Sequence, residues 1–204
     1  VIVTDHKKAP QQGKNVAVKG DLGQSAAGKT DKNGELTVPE VEQTERHGVY
    51  IVGYTDGTFG PSRSMTRSEA AAIFARLLAE KNGDTISTAA NTKFADIPAH
   101  AWYSGYVKYL SNNGITYGKS KTIFAPNDAI TRAEFTTMAV RFFDVYGDGD
   151  AEIMEQFSGF NDVSSGYWAA EYIKYAALHG WINGYGDGSF PAAREINRAE
   201  VVAI

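Results

Sequence analysis

Three closely similar helix starts are written into this chain: MTRSEAAAIFA at residues 65–75, ITRAEFTTMAV at 130–140 and INRAEVVAI at 196–204. Their arginines, Arg67, Arg132 and Arg198, lie 65 and then 66 residues apart. A period of this kind restricts the fold to copies of one small unit packed on one another, because a single copy cannot bury its own apolar face.

The second and third copies align almost from end to end. Phe94 matches Phe160, Asp96 matches Asp162, Trp102 matches Trp168, Lys108 matches Lys174 and Gly114 matches Gly180. The first copy keeps only the second half, from His47 to Leu78, and has neither the F-x-D motif nor the tryptophan. Each full unit reads as helix, loop, helix. After the tryptophan, Val107, Leu110 and the tyrosines fall at helical spacing until Asn113 and Gly114 stop the run. A tight loop follows, GYTDGTF in the first unit and GYGDGSF in the third. The second helix opens at Thr66, Thr131 or Asn197, each followed three residues later by Glu69, Glu134 or Glu200, the pattern of a reciprocal capping box. Its apolar face is Ile73, Phe74, Leu77 and Leu78 in the first unit, and Phe135, Met138, Ala139 and Phe142 in the second.

Residues 1–40 read differently. Short alternating runs, VIVT and NVAVKG, precede GKTDKNGELTVP, where Asp31-Lys32-Asn33-Gly34 predicts a turn between two extended pieces. Asp31 and Asn33 do not make a calcium loop, because the glycine position holds Leu36. The expected organisation is therefore a partial β module over 1–40, a first helical unit lacking its first helix over 41–84, a second over 85–146 and a third over 147–204.

Bulk properties narrow the function. A net charge of −4 gives no electrostatic reason to expect nucleic acid. No apolar run approaches the roughly 18 residues that span a bilayer, so membrane insertion is not expected. No charged-then-apolar leader opens the chain, so export is expected to use a signal outside this sequence. Zero cysteine excludes disulfides and thiolate metal sites. His6, His47, His100 and His179 share no ligand spacing, the acids at 148 and 150 suit a solvated linker, and no G-x-S-x-G or H-E-x-x-H motif is present. Neither a metal, a cofactor nor catalysis is expected.

The pattern F-x-D-[IV], W, G, GYxDGxF, P, [TN]R[AS]E, in three spaced copies over residues 44–204, resembles the S-layer homology domain of bacterial cell-surface proteins. The resemblance implies a mainly α fold, a pseudo-threefold bundle of helix-loop-helix repeats. It also implies inter-repeat grooves that hold a secondary cell-wall polysaccharide or modified peptidoglycan, often a pyruvylated polymer, and so anchor an exported protein non-covalently at the cell surface. The segment at 1–40 is similar to the end of the immunoglobulin-like or transthyretin-like modules of surface stalks. Some members of the family are permuted, so the missing first helix is expected beyond Ile204, leaving an apolar edge exposed.

A cation at the first helical position meets the positive end of the helix dipole, at a cost of about a few tenths of a kcal/mol. Three such placements call for a reason. One is an anion: free N–H groups and the guanidinium forks of Arg67, Arg132 and Arg198 converging on a carboxylate such as a pyruvyl ketal. The other is structural, with the arginines pairing with Asp96, Asp162 or helix carbonyls across the repeat interface. Trp102 and Trp168, each expected to open a helix beside an Asp-bearing turn, suit a sugar platform over a core anchor. Asp96 and Asp162 read as turn or cap residues, to which the resemblance adds contacts with sugar hydroxyls. Gly57 and Gly188 read as tight-turn residues whose bare backbone can line the groove. The second unit departs from its sisters with Lys119, Lys121 and Thr122, so its groove is either inactive or more cationic and differently selective. The competing expectations are self-association into a surface lattice, docking of another protein, or the targeting region of a cell-wall hydrolase.

Overall fold

The computed structural model describes residues 50–146 and 157–203, with the strand backbones at 15–19, 25–30 and 36–37. The chain divides into two units, Val1–Arg46 and His47–Ile204. In the first, strands β1 (Asn15–Lys19), β2 (Ser25–Thr30) and β3 (Leu36–Thr37) form an antiparallel sheet in the order β1-β2-β3. Val16 pairs with Gly28, and Thr30 pairs with Leu36. The extended NVAVK run is thus β1. The expected VIVT strand, the turn at 31–34 and the linker acids at 148 and 150 lie outside the described residues.

The second unit is helical: α1 (Arg67–Asn82), α2 (Ser104–Asn112), α3 (Arg132–Tyr146), α4 (Ala170–Leu178) and α5 (Arg198–Val202). The second helix of each repeat starts where the capping box places it. Glu69 N donates to Thr66 Oγ1 while Thr66 N donates to Glu69 Oε2; Glu134 with Thr131 and Glu200 with Asn197 repeat the exchange. Helix α2 ends as expected, with Gly114 at φ 75° and Ile115 N donating to Leu110 O. Its start differs from the expected one. Trp102 and Trp168 each lie two residues before α2 and α4; at α2, buried Ser104 ties the helix start to the loop, donating to Ala99 O and accepting from Ala90 N.

Packing crosses the repeat boundaries. Helix α2 of the second repeat lies on α1 of the first, α4 of the third lies on α3 of the second, and α1 contacts α3. At the centre, three residues that precede the caps join in a closed ring of backbone hydrogen bonds. Met65 N donates to Ile196 O, Ile196 N to Ile130 O and Ile130 N to Met65 O, at 2.9–3.0 Å. All three side chains are fully buried. One repeat alone has no partner for these amides or for these apolar faces, which is why the copies fold together.

Candidate functional site

The arginines that open α1, α3 and α5 are buried, with 4%, 7% and 3% of their surface exposed. Each reaches into another repeat. Arg67 Nε donates to Phe124 O at 2.8 Å and its Nη1 lies 3.1 Å from Glu134 Oε1. Arg132 Nη2 donates to Asn183 O and its Nη1 lies 3.5 Å from Glu200 Oε1. Arg198 donates to Phe59 O and Val52 O, with Nη1 3.7 Å from Glu69 Oε1. The three pairs close a cycle in which each capping-box glutamate uses one oxygen on its own helix start and the other on a neighbouring repeat's arginine. The guanidinium planes lie near the rings of Phe124, Phe190 and Phe59.

The expected convergence of free helix N–H groups on a ligand is overturned by this arrangement. Arg67 N and Ser68 N donate to Asp128 O and Pro126 O, Arg132 N and Ala133 N to Arg194 O and Ala192 O, and Arg198 N and Ala199 N to Arg63 O and Pro61 O. The loop of another repeat therefore occupies the first-turn donors.

Charge in this cycle is held against burial. Burial holds the Arg132 guanidinium below its ordinary pKa, with Glu200 offsetting part of that. Burial also works to raise the Glu200 carboxyl, but the Asn197 amide and the Arg194 and Arg132 guanidinium groups outweigh it and leave the pKa below 4.5. A depressed carboxylate pKa stabilises the fold above the unfolded value and loses that contribution as pH falls through the folded one. In urea denaturation across pH, Glu200→Gln is expected to be less stable than the parent near neutrality, with the gap shrinking below pH 4.5.

Two grooves of matching construction border Arg67 and Arg198, whereas Arg132 lines neither. The larger, about 470 Å³, is lined by Arg67, Thr116–Lys119, Glu134, Thr137, Met138, Arg141 and Trp168. The smaller, about 170 Å³, is lined by Tyr50–Tyr54, Glu69, Ala72, Ile73, Arg76, Trp102 and Arg198. Shifted by the repeat length, these are largely the same positions. Each groove takes an arginine from one repeat, its wall from a second and a tryptophan from a third. Both tryptophans are more than half exposed, at 52% for Trp102 and 57% for Trp168.

Asp96 and Asp162 do not line either groove. Asp96 accepts from Phe124 N and Ala125 N, and so holds Ala125 at φ 59°, where a side chain is strained. Asp162 accepts from Phe190 N alone, because the next residue is Pro191 and has no N–H. Gly57 and Gly188, at φ 80° and 79°, also stand outside both linings and turn the loop tips. The glycines that do line the grooves are Gly53 and Gly118; a Cβ on Gly118 would come within 2.5 Å of the Phe94 ring. The loop glycines singled out by the motif thus stand at the loop tips, and other glycines of the same loops line the grooves.

Arg76 and Arg141 are groove residues that sequence reasoning missed. Arg76 donates to Tyr50 O and lies over the Tyr106 ring; Arg141 donates to the Tyr172 hydroxyl and lies near both the Tyr117 and Tyr172 rings. The available signal was their 65-residue spacing, equal to that of Arg67 and Arg132.

The family model for the S-layer homology domain matches residues 37–71, 93–136 and 159–202. The chain is 31% identical over 182 residues to a cellulosome-anchoring protein of Acetivibrio thermocellus, covering 88% of this chain and 40% of the relative. It is 36% identical over 166 residues to cell surface glycoprotein 1 of the same organism, covering 78% of this chain and 7% of the relative. It is 31% identical over 154 residues to an amylopullulanase of Thermoanaerobacterium thermosulfurigenes, covering 76% of this chain and 8% of that enzyme. The chain thus spans 40% or less of the length of each of these relatives.

Proposed function

The chain belongs to the S-layer homology family, and on that premise we propose that residues 47–204 anchor a protein non-covalently to the bacterial cell wall by holding an anionic secondary polysaccharide in the two grooves. The observation that carries this reading is the groove itself: an exposed indole at the rim, two arginines and bare loop backbone, drawn from three repeats. An indole face suits a pyranose ring, and guanidinium groups suit a carboxylate such as a pyruvyl ketal. The relatives range from a cellulosome-anchoring protein and a cell surface glycoprotein to an amylopullulanase matched over a small part of its length. That range supports an attachment module with no chemistry of its own.

The three repeats are read as a pseudo-threefold bundle, which the closed Met65–Ile130–Ile196 ring supports. The strands β1 to β3 are read as the end of a stalk module of immunoglobulin-like or transthyretin-like type. Arg67 and Arg198, held by glutamates and carbonyls, act chiefly by building the groove walls, while Trp102, Trp168, Arg76 and Arg141 present the ligand surface.

The test is sedimentation of the chain with purified cell walls, before and after extraction of the non-peptidoglycan polymers. Trp168→Ala is expected to weaken wall binding by about tenfold, in line with a ring-stacking contribution of about 1–1.5 kcal/mol, with no change in thermal midpoint because the side chain is exposed. Binding that survives polymer extraction, or that ignores both Trp102→Ala and Trp168→Ala, would sink the groove reading. A second reading has its own observation. An apolar groove of about 350 Å³ between α1, α3 and α5, lined by Phe74, Leu77, Phe142, Phe143, Trp181 and Val202 among others, suits self-association or protein docking. Concentration-dependent growth in light scattering without any glycan would favour it.

A further inference from the structure

Among the positions at which the two grooves differ, one change of charge is compensated by a change at a neighbouring position. In the first repeat the Arg63 guanidinium lies 3.9 Å from the centre of the Tyr54 ring. The third repeat has the same residue types, with Arg194 over Tyr185. At the matching positions of the second repeat stand Lys119 and Asp128, joined by an ion pair of 2.7 Å. The positive charge has moved from the outer position to the one that lines the groove, and a carboxylate has taken its old place.

This exchange changes what a ligand meets. Arg198 lies near the rings of both Tyr54 and Phe59, whereas Arg67 has Phe124 and, in place of the tyrosine, an ammonium. Arg67, Lys119 and Arg141 with the single carboxylate Glu134 line the larger groove; Arg198 and Arg76 with Glu69 line the smaller. Among the described residues, Arg141 is held by the Tyr172 hydroxyl and by no carboxylate. The Lys119 and Asp128 side chains are 41% and 56% exposed, and an exposed pair of that kind contributes little and exchanges readily. A ligand carboxylate can therefore replace Asp128 on Lys119, while the Tyr54 ring at the same point has no ammonium to offer and is itself packed against Arg63 and Arg198.

Resting on the groove reading above, we propose that Lys119 and Asp128 set the ligand preference of the larger groove. That groove selects an acid-bearing sugar, and the Tyr54 groove tolerates an uncharged ring at the same position. The two are thus distinct subsites for a polymer whose charged and neutral residues alternate or vary, and are not duplicates of one site.

Each groove carries its own tryptophan, so the indole N–H resonances of Trp102 and Trp168 report them separately in one sample of the whole chain. The probes are a methyl glucoside bearing a 4,6-pyruvyl ketal and its uncharged methyl ester. Esterification is expected to weaken the response of Trp168 by about five- to tenfold, as for loss of a charge-assisted contact, and that of Trp102 by much less. In the double variant Lys119→Tyr with Asp128→Arg, checked for unchanged thermal stability, the Trp168 response should acquire the charge dependence of Trp102. Equal dependence at both indoles in the parent, or no change in the double variant, would overturn the assignment while leaving the groove reading in place. Silence of both indoles towards both probes would overturn both.

Discussion

Arg198→Ala is expected to lower the stability of the helical unit by about 3–5 kcal/mol, the usual cost of removing one partner from a buried charge pair. Arg198 is 3% exposed, and its loss strands the carbonyls of Val52 and Phe59 together with the Glu69 carboxylate. For a domain of this size each kcal/mol shifts the midpoint by about 2–4 °C, so calorimetry should record a fall on the order of 10 °C. Arg198→Lys should recover part of this, because the ammonium can still face Glu69 but cannot serve two carbonyls and a carboxylate together. A midpoint within about 1–2 °C of the parent, a fraction of that expected shift, would mean that water or another side chain satisfies these groups. The result also governs how binding data are interpreted: loss of wall attachment in an arginine variant reports a ligand contact only when the thermal midpoint is retained.

Ile130→Ala is expected to cost about 3–4 kcal/mol, within the usual range for emptying a fully buried aliphatic site. Ile130 is 0% exposed, and its amide and carbonyl belong to the ring that joins Met65 and Ile196. Because α2 packs on α1 and α4 on α3, no repeat has a core of its own. The variant should therefore melt in one transition, displaced as a whole. Two resolved transitions, with only the second repeat lost early, would show that the repeats are separately stable and that the shared core contributes less than its burial implies. Chemical denaturation followed by both fluorescence and far-ultraviolet circular dichroism distinguishes these outcomes.

The capped starts of α1, α3 and α5 and the helix stop at Gly114 were legible in the sequence because each depends on contacts within a few residues, and the number of repeats was legible from the period. A capping box joins residues three apart, and the turn that ends α2 joins Leu110 to Ile115. The arginine spacing was equally plain. What it meant was not, since the partners that decide it lie far away in sequence: Phe124 is 57 residues from Arg67, while Phe59 and Val52 are 139 and 146 from Arg198. The same holds for the groove. Only the folded chain brings Arg67, Lys119 and Trp168 to one surface, shows Arg76 and Arg141 beside the indoles, and turns Asp96 and Asp162 inward onto loop amides. Sequence by itself determined the unit, its period and its local ends, because helix propensity and capping are short-range. Tertiary structure alone decided which charges are buried in ion pairs between repeats and which line a groove, because that choice depends on burial and on hydrogen-bond partners supplied by another repeat.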